Sequence, residues 1–164
     1  MEVIIKYLDG NKTQCSVSCL ISGDIPFAEI KKIIFVKYYI FLYRPSFDKL
    51  DFSKCINLES FYCQGCNLQQ LPSFANCKKL KYFNCANNYL LKLPELPIAE
   101  YSTLKQIICY NNKLTHLPDL SRYAELTNLI CYNNLLTDTD FIDLYKCKKL
   151  TRLNCSKNRI NFFL

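Results

Sequence analysis

The sequence predicts a mostly β solenoid of the α/β type: about six right-handed coils stacked into one concave parallel sheet, with a β-hairpin capping the N-terminal end. Three observations carry that prediction. Residues 58–68, 80–90, 104–114, 126–136 and 150–160 all follow one template, apolar-x-x-apolar-x-Cys-x-x-(Asn or Cys)-x-apolar. Their first leucines are separated by 22, 24, 22 and 24 residues, a period at which each unit supplies one short strand and buries its apolar edge only against its neighbours. Ahead of the repeats, Asp9-Gly10-Asn11-Lys12 joins two alternating segments, a strong hairpin signal.

The elements follow in order. Residues 1–28 form the cap and residues 29–164 the solenoid, within one structural domain. Residues 2–8 and 13–18 read as the two hairpin strands, which would cover the sheet edge that a solenoid otherwise leaves open. Ile30, Ile33, Phe35, Tyr38 and Ile40 fit a degenerate first coil, with Phe35 in the cysteine position and Tyr38 in the asparagine position. Its return path, residues 41–57, is longer than the others and holds Pro45.

In the regular coils strand alternation turns Leu80, Phe83 and Cys85 inward and Tyr82, Asn84 and Ala86 outward. The turn that follows needs partners for backbone groups leaving the ladder. Asn88, Asn112, Asn134 and Asn158 suit that task, because a buried amide both donates and accepts, to the coils above and below. Cys66 stands in the same position in the second coil and should weaken the ladder there. Three return arcs read Leu-x-x-Leu-Pro, ending at Pro72, Pro94 and Pro118, where a residue without an N–H loses nothing. In the fifth coil Asp138-Thr139-Asp140 can cap a short helix over Phe141-Ile142-Asp143-Leu144.

The block from Ile30 to Leu164, with segments such as Leu126-Thr-Asn-Leu129-Ile-Cys131-Tyr-Asn-Asn134-Leu-Leu136, resembles leucine-rich-repeat proteins. The arc Leu93-Pro94-Glu95-Leu96-Pro97 resembles the short repeats of bacterial effectors. The cysteine position and the Asn, Lys, Tyr and Ile bias resemble repeat proteins of giant amoeba viruses. The resemblance implies a binding module.

Eleven cysteines are an odd number, and five of them share one column about 4.8 Å apart. Such spacing invites mispairing under oxidation, so an intracellular, reducing compartment is expected, the host cytoplasm for a viral protein. Cys63-Gln-Gly-Cys66 lacks a second pair to complete a zinc site, and Cys15 with Cys19 is only slightly more open to metal or redox chemistry. The single histidine, His116, falls on a return arc away from the inward cysteines, and no phosphate-binding glycine motif exists. No enzyme, metal or cofactor is expected. The apolar run 33–43 contains Lys37 and is far short of the ~20 residues that span a bilayer, so no membrane partner is expected.

Function then rests on the outward strand positions. Seven basic residues (Lys31, Lys32, Lys37, Lys81, Lys105, Arg152, Lys157) against Glu59 place +6 there, of the chain's +7. Ile108, Ile130, Tyr110 and Tyr132 form an apolar and aromatic patch at the centre, flanked by Tyr62, Tyr82, Lys81, Lys105 and Arg152. These residues predict recognition of a protein with an acidic surface. Nucleic acid is the alternative, with tyrosines as stacking platforms over a basic groove. Phe162, Phe163 and Leu164 end the last strand without a polar capping coil, so they either fold over the open end or support self-association, as in a structural particle component.

Overall fold

Alternating side chains build the hairpin. Strands β1 (Glu2–Tyr7) and β2 (Lys12–Ser16) pair antiparallel, with Val3 and Ile5 fully buried and Gly10 in the left-handed conformation (φ 90°) that closes the turn. The computed structural model describes residues 2–35, 47, 49–97 and 102–161. The second strand stops at Ser16, two residues short of the expected end, because Val17–Ser22 forms a helical turn, α1. That turn buries Leu20 and ends at Gly23 (φ 81°), the residue best able to take the left-handed cap.

Strand β1 pairs on its other side, antiparallel, with β3 (Ile30–Phe35), so the hairpin extends the sheet at the solenoid's first edge. From β3 onward the sheet is parallel and in sequence order: β4 (Ser60–Tyr62), β5 (Tyr82–Asn84), β6 (Gln106–Ile108), β7 (Asn128–Ile130) and β8 (Arg152–Asn154). The register matches the template, with Ile33, Phe61, Phe83, Ile107, Leu129 and Leu153 side by side. Although the described residues hold six parallel strands, about four turns are full. A coil needs both strand and return arc, which residues 58–149 provide; the arc after β3 lies partly outside the described residues, and no arc follows β8 among them. The expected count of six is therefore corrected. Tyr38, Ile40 and Pro45 of the degenerate first coil lie outside the described residues, as do Phe162, Phe163 and Leu164.

The interior is a set of columns. Leu58, Leu80, Leu104 and Leu126 are fully buried, as are Cys63, Cys85, Cys109 and Cys131. The N-terminal half is aromatic: Phe61 lies 4.6 Å from Phe74 and 5.7 Å from Phe83, centroid to centroid. In the C-terminal half aliphatic residues replace those rings, and the last-coil residues Leu150, Leu153 and Cys155 are only half-buried because nothing among the described residues stacks beyond them.

The return arcs carry order that the template does not express. Phe52-x-x-Cys55-x-x-Leu58, Phe74-x-x-Cys77-x-x-Leu80, Leu120-x-x-Tyr123-x-x-Leu126 and Leu144-x-x-Cys147-x-x-Leu150 share a three-residue apolar spacing. Each third residue donates its N–H to the carbonyl three before it, as from Cys77 to Phe74 and from Leu80 to Cys77, both at 2.9 Å. That is 3-10 geometry, which stacks residues i and i+3 on one side and points them into the core. A second cysteine series (Cys55, Cys77, Cys147) arises this way, with thiols directed at the preceding coil: Cys77 Sγ to the Phe52 carbonyl at 3.6 Å and Cys147 Sγ to that of Leu120 at 3.2 Å. In the fifth coil the arc tightens into 3-10 turns at Asp138–Phe141 and Leu144–Lys146. The cap is Thr137 rather than the expected residues at 138–140, in a capping box with Asp140.

Candidate recognition face

The turn after each strand sets the geometry of the outer face. Asn88 donates to the carbonyls of Cys63 and Cys85 (both 2.9 Å) and accepts from the N–H groups of Cys66 (3.1 Å) and Leu68 (2.9 Å). Asn112, Asn134 and Asn158 repeat the pattern, each clamping its own coil to the preceding one. The expectation that they reach coils on both sides is corrected: the bonds run one way. Cys66 accordingly leaves its coil without this clamp on its own side, but its N–H is still served by Asn88.

One position earlier, Gly65, Asn87, Asn111, Asn133 and Lys157 all take the left-handed conformation, at φ 69°, 55°, 53°, 53° and 54°. Glycine and asparagine adopt it readily, and lysine only at a cost. Three of the asparagines also form a rail, Asn133 Nδ2 to Asn111 Oδ1 at 2.9 Å and Asn111 Nδ2 to Asn87 Oδ1 at 2.7 Å. The recurrence of Gly and Asn at one template position was the signal for their backbone role.

The site residues divide into three groups. Tyr110 and Tyr132 stack on each other, with centroids 4.6 Å apart and planes at 6°. The Tyr110 hydroxyl accepts from Gln64 Nε2 at 3.2 Å, two coils away. At the same template position the intervening coil carries Ala86, which is fully buried. The two tyrosines lie half-buried. Beside them Ile108 and Ile130 are register partners on β6 and β7 and are half-buried.

At the N-terminal end the Lys32 ammonium sits 4.8 Å over the Tyr62 ring, and Glu59 holds Lys31 at 3.6 Å and Lys81 at 3.2 Å. Lys32, Ile34, Tyr62, Gln64, Asn84 and Asn87 surround a hollow of about 390 Å3. Tyr82, on β5, is 37% exposed, more than the half-buried Tyr62. Lys105 and Arg152 are exposed and make no ion pair among the described residues. Between these two, on β7, Asn128 Oδ1 is buried with no hydrogen-bond partner. Lys37 lies outside the described residues, so the described face holds six of the seven expected basic residues.

The outer face offers aromatic contacts, ion pairs and hydrogen bonds. Burial pushes the thiols of Cys63, Cys85 and Cys109 well above their ordinary range, with neighbouring cysteines adding to it; such thiols are poor nucleophiles. His116 Nδ1 lies 3.6 Å from Asp140 Oδ1. Asp140 is itself committed to the backbone, accepting from Leu117 N at 2.9 Å and Thr137 N at 2.8 Å. Among the described residues no three histidine, cysteine or acidic side chains gather as a metal site, and no helix is long and apolar enough to cross a membrane.

Residues 56–98 match the family profile for leucine-rich repeats (two copies). No curated protein matches the chain. Among solved structures the chain is similar to an internalin, InlF, from Listeria monocytogenes, with a TM-score of 0.58 and 21% identity over 67% of this chain and 32% of that one. The functional domain of InlJ from the same organism, which includes a cysteine ladder, aligns with a TM-score of 0.36 and 26% identity over 70% of this chain and 33% of that one. The chain thus spans about a third of the internalin chains it matches. The likeness to InlF establishes the solenoid fold; kinship with amoeba-virus proteins is no part of it.

Proposed function

We propose that this leucine-rich-repeat solenoid is a noncatalytic recognition module whose outer sheet face binds a protein with an acidic surface. Leucine-rich repeats serve in general as scaffolds for protein recognition, and the observation that carries the finer reading is the arrangement at the centre of the face. There a rigid tyrosine pair and two register-matched isoleucines stand on a ladder-fixed sheet, with Lys105 and Arg152 exposed around them. Side chains already ordered lose little entropy on binding, so their contacts convert efficiently to affinity. The cations at the rim steer an acidic partner. A reducing compartment suits the same protein, since it keeps the stacked thiols reduced.

Two observations rank nucleic acid second. The tyrosines stack on each other, which takes up one face of each ring, and Glu59 neutralises part of the basic charge at Lys31 and Lys81. Self-association through Phe162, Phe163 and Leu164 is a third reading, supported by the half-buried leucines of the last coil.

The test is affinity capture from the native cell, comparing the wild-type chain with the Tyr82→Ala, Lys105→Glu, Arg152→Glu triple variant. Circular dichroism confirms that the variant is folded. The proposal expects a defined set of proteins to be lost with the variant. Retention of that set, or capture that is abolished by nuclease treatment, contradicts it. Single-stranded nucleic acid should bind weakly and lose affinity near physiological salt.

A further inference from the structure

Nine of the eleven cysteines belong to the repeat block; Cys15 and Cys19 do not. They sit in the cap, at the end of β2 and in α1, and both are half-buried, so solvent reaches them while the cysteines at 63, 85, 109 and 131 are sealed. The strand-to-helix reversal at Ser16 brings the two thiols close enough to influence each other, and Ser16 Oγ lies 3.7 Å from Cys19 Sγ. Ser16 Oγ also contacts the Ser18 hydroxyl. Cys15 packs partly against the core, whereas α1 buries Leu20 and leaves Cys19 nearer the surface.

We propose that Cys15 and Cys19 form a thiol–disulfide exchange site that reacts with small disulfides of the glutathione class. The inequality of the two sulfurs supports the order of events. Hydrogen bonds, first from the Ser16 hydroxyl and then from the Cys15 thiol, hold Cys19 below the ordinary thiol range against an opposing push from burial. Burial and then the Cys19 partner push Cys15 up to about 11. Cys19 is thus the attacking sulfur and Cys15 the resolving one. The Cys19 thiolate attacks one sulfur of glutathione disulfide, forming a mixed disulfide and releasing one glutathione thiolate. Cys15 loses its proton to solvent and attacks Cys19 Sγ, closing the Cys15–Cys19 bond and releasing the second thiolate. The two protein thiols give up two electrons and two protons, and glutathione disulfide is reduced to two glutathione molecules. The product ties β2 to α1 and fastens the cap that continues the sheet.

The experiment exposes the intact, folded chain to glutathione disulfide, quenches it with an alkylating agent, and maps every cysteine by peptide mass spectrometry. The site predicts loss of two hydrogens from the peptide carrying Cys15 and Cys19, reversed by dithiothreitol, with the sealed cysteines still reduced. The Cys15→Ser variant should stop at a glutathione adduct on Cys19. The Cys19→Ser variant should lose adduct formation at Cys15 by at least about tenfold. In the reduced protein Cys19 should alkylate at least about tenfold faster than Cys155, the half-buried thiol of the last strand, which separates activation from mere exposure. The proposal is overturned if Cys15 and Cys19 stay reduced in excess glutathione disulfide, if disulfides form indiscriminately among the repeat cysteines, or if Cys19→Ser leaves Cys15 reacting at the wild-type rate.

Discussion

Lys157 occupies the one left-handed turn in the repeat series that lacks glycine or asparagine. A β-carbon in that conformation costs roughly 1 kcal/mol or more, and asparagine relieves part of it through local hydrogen bonding. Lys157→Asn is therefore expected to stabilise the fold by about 0.5 to 1 kcal/mol in urea denaturation. The neighbouring clamp residues behave in the opposite sense. Asn112→Ala should cost about 1 to 3 kcal/mol, because the carbonyls of Cys85 and Cys109 and the Leu90 N–H lose their partner. Asn88→Ala should cost more than Asn112→Ala, since Asn88 is more deeply buried and also serves Cys66 and Leu68. The clamp was legible because a buried amide has no cheaper explanation. The left-handed rail was legible only in part, because Gly and Asn recur at positions 65, 87, 111 and 133 but the backbone conformation shows only in their φ angles.

Among elements, the strands were easier to read than what lies between them. A two-residue period separates inside from outside whatever the neighbours do, so Phe61, Phe83 and Cys85 fell where expected. The arcs have a three-residue period that competes with the leucine-proline signal, which is why Cys55, Cys77 and Cys147 went unplaced by sequence. The tyrosines are the other instance. Position alone placed Tyr110 and Tyr132 on the outer face, but their stacking and the bond from Gln64 to Tyr110 depend on contacts between coils. A consequence follows for stability. Replacing either tyrosine by alanine should destabilise the chain, and a double-mutant cycle between them should return a coupling of about 0.5 to 1.5 kcal/mol. A coupling near zero would mean that the stack contributes nothing beyond the sheet beneath it.

Over the whole molecule, the dense thiol columns make the solenoid sensitive to alkali. Cys55 and Cys77 are each pushed up to about 12, mainly by burial, and the buried column cysteines are also raised. The unfolded chain gives up those protons from about pH 8.5, whereas the folded chain keeps them. Unfolding then releases protons, so stability is fully present below that pH and falls as pH rises towards 12. Thermal melting of the reduced protein should show this decline across pH 8 to 10, beginning earlier than lysine or tyrosine titration would produce. Repetition made the architecture readable at this scale: five copies of one template specify a register that no single copy fixes. The recognition face was readable only as positions, because the Tyr110–Tyr132 stack, the Glu59 ion pairs and the buried Asn128 Oδ1 depend on contacts between coils more than twenty residues apart.

That face is the centre of the account, and a photo-crosslinking amino acid at position 108 tests it most directly, with one at the exposed return-arc position 142 as control. In cells that make the protein, position 108 should yield a discrete protein adduct and position 142 should not. Protein adducts from position 142 alone, or a nucleic-acid adduct from position 108, would contradict the account.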